Sequence, residues 1–149
     1  MDKSPNFPTL TMPHRGILLL AGIYTIVWGA FFRWFGMAAL TWLSMQEGFT
    51  LDSTTFYYGT LGMVSGLLIF LSAFYPLTLI YLMGIGGLGK LMGSFWFVFT
   101  YLEELGWNKR SAFHLIFNEA IWLIPLAFIF YRAWEVKKFL KKEKSPPDQ

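Results

Sequence analysis

Cysteine is absent from this chain and charge is scarce, with only 14% of its residues Asp, Glu, Lys or Arg. The missing cysteine excludes disulfides, thiol redox chemistry and Cys-ligated zinc or iron–sulfur sites, and it leaves the redox compartment undetermined. Histidine is nearly as rare. His14 and His114 are the only two and fall toward opposite ends of the expected fold, so a metal site is not expected. No familiar nucleic-acid-binding module is visible, which sets that class of partner aside. Soluble domains carry about a quarter charged residues. A chain with so few charges and 55% hydrophobic residues reads instead as a membrane protein.

What the chain has in quantity is aromatic and apolar sequence, in four runs. Spans are expected at 16–35, 54–74, 77–102 and 111–134, each about long enough to cross a bilayer. The first reads as a signal-anchor span, since a cleaved secretory signal would have a shorter core ending in small residues. Tyr75-Pro76 separates the second and third runs, with Pro76 expected in the first turn of the third helix. Pro125 is expected to kink the fourth. Residues 37–46 repeat Met37, Leu40 and Leu43 at helical spacing. They form either a short interfacial helix or an extramembrane loop packed on the end of the bundle. The fold class expected is therefore all-α: an integral membrane up-down-up-down four-helix bundle over 16–134. It is preceded by an N-terminal segment, 1–15, and followed by a basic tail, 135–149, whose KSPPDQ ending reads as disordered.

The basic residues set the orientation. Lys3, Arg15, Arg132 and the five tail lysines lie on one side, against Arg33, Lys109 and Arg110 on the other. Both termini are then cytoplasmic, and the tail is placed to meet anionic lipid headgroups.

GIGGLGKL, residues 84–91, satisfies G-x-G-x-x-G and most of a phosphate-binding loop. Such a loop needs a strand before it and a helix after it, whereas this stretch lies inside a span. Leu91 also stands where the magnesium-binding hydroxyl belongs. Gly86, Gly89 and Gly93, like Gly59, Gly62 and Gly66 in the second span, are read as smooth faces for close helix packing.

Lys90 remains unusual, because a charge at mid-bilayer costs about 2.5–3.5 kcal/mol and is a functional hypothesis by default. At 1.5 Å per residue, Lys90 lies roughly 18 Å from Leu102, Glu119 roughly 12 Å from Ser111, and Tyr24 and Ser65 near 16 Å on their spans. Tyr24, Ser65, Lys90, Asn118 and Glu119 thus form one intramembrane polar band. It serves either to specify helix packing or to bind a small polar headgroup or pass protons. Lys90 and Glu119 are expected to meet as a hydrogen-bonded ion pair, with Tyr24 and Asn118 as further partners. His114 reads as an interfacial side chain and Trp122 as packing.

AGIYTIVWG (21–29), GLGKLMG (87–93) and FNEAIWLIP (117–125) resemble the DoxX-like group of small four-span bacterial membrane proteins. The resemblance spans about residues 16–135 and implies a compact four-helix bundle in a bacterial cytoplasmic membrane. Some relatives are linked to quinone-coupled respiratory complexes, and some are labelled peroxide reductases, a label at odds with a chain lacking cysteine. No catalytic residue carries over. The function expected is a small accessory or binding protein, a subunit of a membrane complex or a binder of a lipid-soluble molecule. The alternatives are an enzyme or redox subunit acting on a quinone-like or lipid substrate, and a proton-coupled carrier that works as an oligomer. No resident cofactor is expected unless a quinone or lipid fills that role. A membrane-protein partner and a homo-oligomer both remain open.

The orientation is checked with reporter fusions. A fusion after Leu140 should be active in the cytoplasm, and fusions after Gln46 and at Trp107 should report the opposite side. Two successive fusions reporting the same side would remove a span.

Overall fold

The structure, a computed structural model, describes residues 10–144. Lys3 and most of the expected N-terminal segment, together with the expected disordered ending, lie outside the described residues. Four helices form: α1 (Met12–Ser44), α2 (Phe56–Ser72), α3 (Ile80–Leu105) and α4 (Lys109–Glu143), with no strand among the described residues. Three of them, α1, α3 and α4, are long and apolar enough to cross a membrane. The other, α2, has 17 residues, a rise of about 26 Å.

Local chemistry sets the helix boundaries. Thr11 caps α1, and the His14 ring folds back to accept the Thr11 N–H at 3.1 Å, so His14 is spent on the helix start. Pro76 lies in the connection between α2 and α3 rather than in the first turn of α3, and Leu79 N–H donates to the Tyr75 carbonyl at 2.8 Å to close that turn. Between α3 and α4 the chain turns at Gly106, whose φ of 71° suits glycine. Asn108 then caps α4 by accepting the N–H groups of Arg110 and Ser111 at 2.8 and 3.0 Å. The same Asn108 donates to the Leu43 carbonyl at 2.9 Å and so ties this turn to the end of α1.

Residues 37–44 continue α1 beyond a kink at Phe35, where φ is −124° and ψ is 33°. The cause is a side chain inserted into the helix ladder. The Thr55 hydroxyl donates to the Phe32 carbonyl at 2.7 Å, the acceptor that the Gly36 N–H would otherwise use. Gly36 lies against Thr55 and has no room for a Cβ. Past the kink, Ala39, Leu40 and Leu43 bury themselves with Phe97, Tyr101 and Leu105, while Met37 and Trp42 stay exposed.

The helices alternate in direction, as their glycine contacts record. Along α1, Gly22 meets Phe70, Gly29 meets Gly62 and Met63, and Gly36 meets Thr55, so α2 runs backward against α1. A methyl on Gly66 would sit 2.6 Å from the Ile26 nitrogen, and one on Gly86 would sit 2.8 Å from Ile69 Cγ1. Gly89 closes on Ser65 in the same way. Gly93 is different, because the nearest atom to an added methyl is on the Tyr58 ring, 3.9 Å away. Gly22, Gly29 and Gly36, seven residues apart, are the glycine face of α1 that the sequence reading passed over. Between α3 and α4, Gly84 faces Phe130 and Lys137 lies 4.6 Å from the Tyr81 ring centre, again antiparallel.

Two apolar layers result. Leu18, Ile69, Ile80, Met83, Leu126 and Ile129 fill one end, and Phe32, Leu40, Tyr58, Phe97, Tyr101 and Leu105 fill the other. The buried polar groups Lys90, Asn118 and Glu119 lie between them.

The contrast between packed and open glycines gives a stability test in one fixed detergent. Gly29→Ala, whose methyl would come 2.5 Å from the Met63 nitrogen, should lower the unfolding free energy by about 1–3 kcal/mol through overpacking. Gly87→Ala, with nothing within 4 Å, should instead raise it by about 0.5–1 kcal/mol through helix propensity. Equal effects at the two positions would contradict the packing described.

Candidate functional site

α3 carries Lys90 on the side turned toward α4, and only 4% of the residue is exposed. Its Nζ donates to the Asn118 carbonyl at 2.6 Å and to Glu119 Oε2 at 3.2 Å. A buried ion pair persists only when its remaining lone pairs and protons find partners, and here two of the three Lys90 donors and both Glu119 oxygens have them. Ser94, one turn along α3, has its hydroxyl 3.1 Å from Glu119 Oε2 and also 3.1 Å from the Lys90 carbonyl. The other carboxylate oxygen, Oε1, accepts from the Tyr58 hydroxyl of α2 at 3.1 Å.

The chain of bonds continues beyond the pair. Tyr58 Oη lies 3.1 Å from His114 Nε2, and Asn118 Nδ2 lies 2.8 Å from His114 Nδ1. Tyr24 of α1 donates to Asn118 Oδ1 in a short hydrogen bond. One proton arrangement accounts for these bonds beyond the pair. The Asn118 amide donates to Nδ1, so the imidazole carries its proton on Nε2 and gives it to the Tyr58 oxygen. Tyr58 in turn gives its own proton to Glu119. All four helices thereby contribute to one network.

Local winding makes this convergence possible. Residues His114–Ala120 are π-helical, with Ile121 N–H bonded to the Ile116 carbonyl five residues back. In an α-helix, residues five apart point roughly 140° away from each other, whereas a turn closed by i→i+5 bonds brings them toward one face. His114, Asn118 and Glu119 consequently share a face, and all three are buried. A second π-helical stretch, Phe97–Leu102, turns Phe97 and Tyr101 into the layer above the network.

Of the five residues expected in the polar band, four are joined: Tyr24, Lys90, Asn118 and Glu119. Ser65 is buried but faces Gly89 in the contact between α2 and α3 and takes no bond in this network. His114, expected near the interface, is instead 1% exposed and sits at the centre. Its ring centre lies 4.4 Å from that of Phe97, 5.3 Å from that of Phe32 and 5.7 Å from that of Trp28, so aromatic rings enclose it on several sides. Tyr58 and Ser94 also escaped the sequence reading. Gly84 to Lys90 are helical throughout, which gives a phosphate no loop to occupy. Trp122 packs against Tyr24 with ring centres 5.2 Å apart and planes tilted by 39°. Its Nε1–H is the buried side-chain donor that finds no partner among the described residues.

Beside the network lies a cavity of about 30 Å3, bordered by Thr25, Trp28, Phe32 and Gly62 as well as the polar groups. That volume suits one or two waters and nothing larger. The arrangement can hold a proton inventory and a fixed charge pair, and its polar groups border this small cavity on the side of α1 and α2. No group of three or more His, Asp or Glu side chains placed to hold a metal occurs among the described residues. Comparison of the chain with protein-family models, with curated proteins and with solved structures finds no match.

The pair is tested by a double-mutant cycle. Lys90→Met and Glu119→Leu should each cost about 3–5 kcal/mol, because each strands one buried charge. The double replacement should cost less than the two together, with a coupling of at least about 1 kcal/mol. Additive losses would mean that the two side chains do not meet.

Proposed function

We propose that the chain is an integral membrane protein of the bacterial cytoplasmic membrane. Its four helices cross the bilayer alternately, with both termini on the cytoplasmic side, and it binds a lipid-soluble molecule between α3 and α4. It acts as a small binding protein or as the binding subunit of a larger complex, in keeping with its resemblance to the DoxX-like group.

One observation carries the reading. An apolar groove of about 380 Å3 runs between α3 and α4, lined by Gly84, Gly87, Leu91, Leu123, Ala127 and Phe130 among others. Small-molecule sites typically enclose about 300–1,000 Å3. The glycine faces of α1 and α2 are filled by a neighbouring helix, whereas Gly87 has nothing within 4 Å of where a side chain would begin. None of Tyr24, Lys90, Asn118 and Glu119 lines the groove, so its occupant would be held by apolar contact. The bond pattern of that band favours binding over catalysis, since its acids, amides and hydroxyls satisfy one another. Glu119, held by Lys90, Ser94 and Tyr58, is likewise better arranged to stay in place than to shuttle protons for a carrier.

Native mass spectrometry of the protein released from nanodiscs tests the groove. The wild type should retain a lipid-soluble molecule, and Gly87→Leu, whose first side-chain carbon has nothing within 4 Å and whose remainder enters the groove, should release it while remaining folded. A wild type that holds nothing, or unchanged retention in Gly87→Leu, would overturn the proposal.

A further inference from the structure

A second pocket lies at the end of the bundle away from the termini, where α1 bends. It is open, encloses about 420 Å3, and is lined by residues 33–38 and 53–55. Its walls are fixed from several sides. The Thr55 hydroxyl holds the Phe32 carbonyl at 2.7 Å, the Tyr101 hydroxyl holds the Thr54 carbonyl at 3.0 Å, and Gly36 abuts Thr55.

Arg33 is fixed as well. It donates to the Thr60 hydroxyl, and its guanidinium carbon lies 4.0 Å from the centre of the Phe56 ring and 5.9 Å from that of Trp34. A guanidinium has five N–H donors, and Thr60 takes one of them. Among the described residues no carboxylate lies within 4.0 Å of Arg33, the charged contacts there being Lys90–Glu119, His114–Glu119 and Arg132–Glu135. The pocket lining contains no acid, and Asp52, just outside it, points to solvent. Thr54 supplies a second donor, since its oxygen accepts the Phe56 N–H at 3.2 Å and leaves its own O–H to give. Exposed Trp34 and Phe35 line the pocket, and aromatic residues, Trp above all, sit at headgroup depth in membrane proteins.

A fixed arginine with no carboxylate partner and with spare donors, lining the same pocket as a hydroxyl donor, matches the bidentate needs of a phosphate. We propose that this pocket binds a phosphodiester, supplied by the headgroup of an anionic membrane lipid, with Arg33 as the charged anchor and Thr54 as the second donor. The source of the phosphate rests on the membrane reading above; the donor set of the pocket does not.

Two arms separate the sources. In the first, full-length protein in phosphatidylcholine nanodiscs with and without phosphatidylglycerol is examined by native mass spectrometry for retained lipid. In the second, inorganic phosphate is titrated into detergent-solubilised protein by calorimetry. Wild type should retain phosphatidylglycerol, Arg33→Gln should retain it at least about tenfold more weakly through loss of charge-assisted bonds, and Lys109→Gln, an exposed cation at the same end, should match wild type. Phosphate binding that depends on Arg33, without any preference for phosphatidylglycerol, would overturn the lipid as occupant while keeping the anion site. Lipid retention unchanged in folded Arg33→Gln would overturn the site. Should Arg33→Gln not fold, Arg33→Lys carries the test: it keeps the charge and loses the fork, so weaker binding supports the site and binding equal to wild type overturns it. Failure of the chain to enter nanodiscs at all would count against the membrane reading alone.

Discussion

An ammonium and a carboxylate 3.2 Å apart among four apolar helices cannot turn to bulk water for their remaining hydrogen bonds. Protein groups must meet those bonds, and that requirement propagates outward. Lys90 needs a second acceptor and takes a carbonyl of α4. Glu119 needs more donors and draws Ser94 from α3 and Tyr58 from α2. Tyr58, having given its proton away, needs one, which only the Nε2–H of His114 supplies. His114 then needs a donor at Nδ1, which recruits the Asn118 amide, and the Asn118 oxygen draws in Tyr24 of α1. A half-satisfied network would be worse than none, so the pair sets the register of every helix through this chain of obligations.

Part of this was legible in the sequence. Lys90 and Glu119 stand out because each interrupts an uncharged run, and rise per residue is enough to bring them to similar depth. The same arithmetic misplaced His114. It assumes uniform α-helix, in which position 114 lies nearer the end and faces away from 119, whereas the π-helical turn brings both onto one face. No residue pattern used here announces such a turn. Tyr58 was hidden for another reason, being one of 7 tyrosines in a chain crowded with aromatics. Ser65 shows the converse error: depth alone put it in the band, but depth says nothing of direction around the helix, and Ser65 points at Gly89. The glycines of α1 were missed because their seven-residue spacing is spread among large side chains, while the compact glycine clusters of α2 and α3 are conspicuous. The length of α1 was legible only up to its kink, since the Thr55 hydroxyl that makes the bend comes from 20 residues beyond Phe35.

The contacts between helices are of two kinds. α1, α2 and α3 meet through glycine faces so close that added methyl groups would strike backbone, and dispersion at short range holds them. α4 has no glycine. It meets α3 through the polar network at one level and, at another, through Phe130 against Gly84 and the buried Leu126, Ile129 and Ala133, which pack with Ile80 and Met83. Its position is therefore set by hydrogen-bond geometry together with side-chain packing, without a glycine face.

That difference explains where the groove comes from. α3 and α4 share no pair of glycine faces that would close their separation, and Lys90 crosses it at one level to reach the Asn118 carbonyl. Elsewhere along α3 the residues facing the gap include Gly84 and Gly87, which fill none of that separation, and Leu91 and Leu123 wall its sides. Replacing those glycines with large side chains would close the gap. The buried pair and the groove thus do separate work between the same two helices. The pair ties α3 to α4 through Lys90 and Glu119, and the glycines leave the apolar space in which a lipid-soluble molecule is proposed to lie.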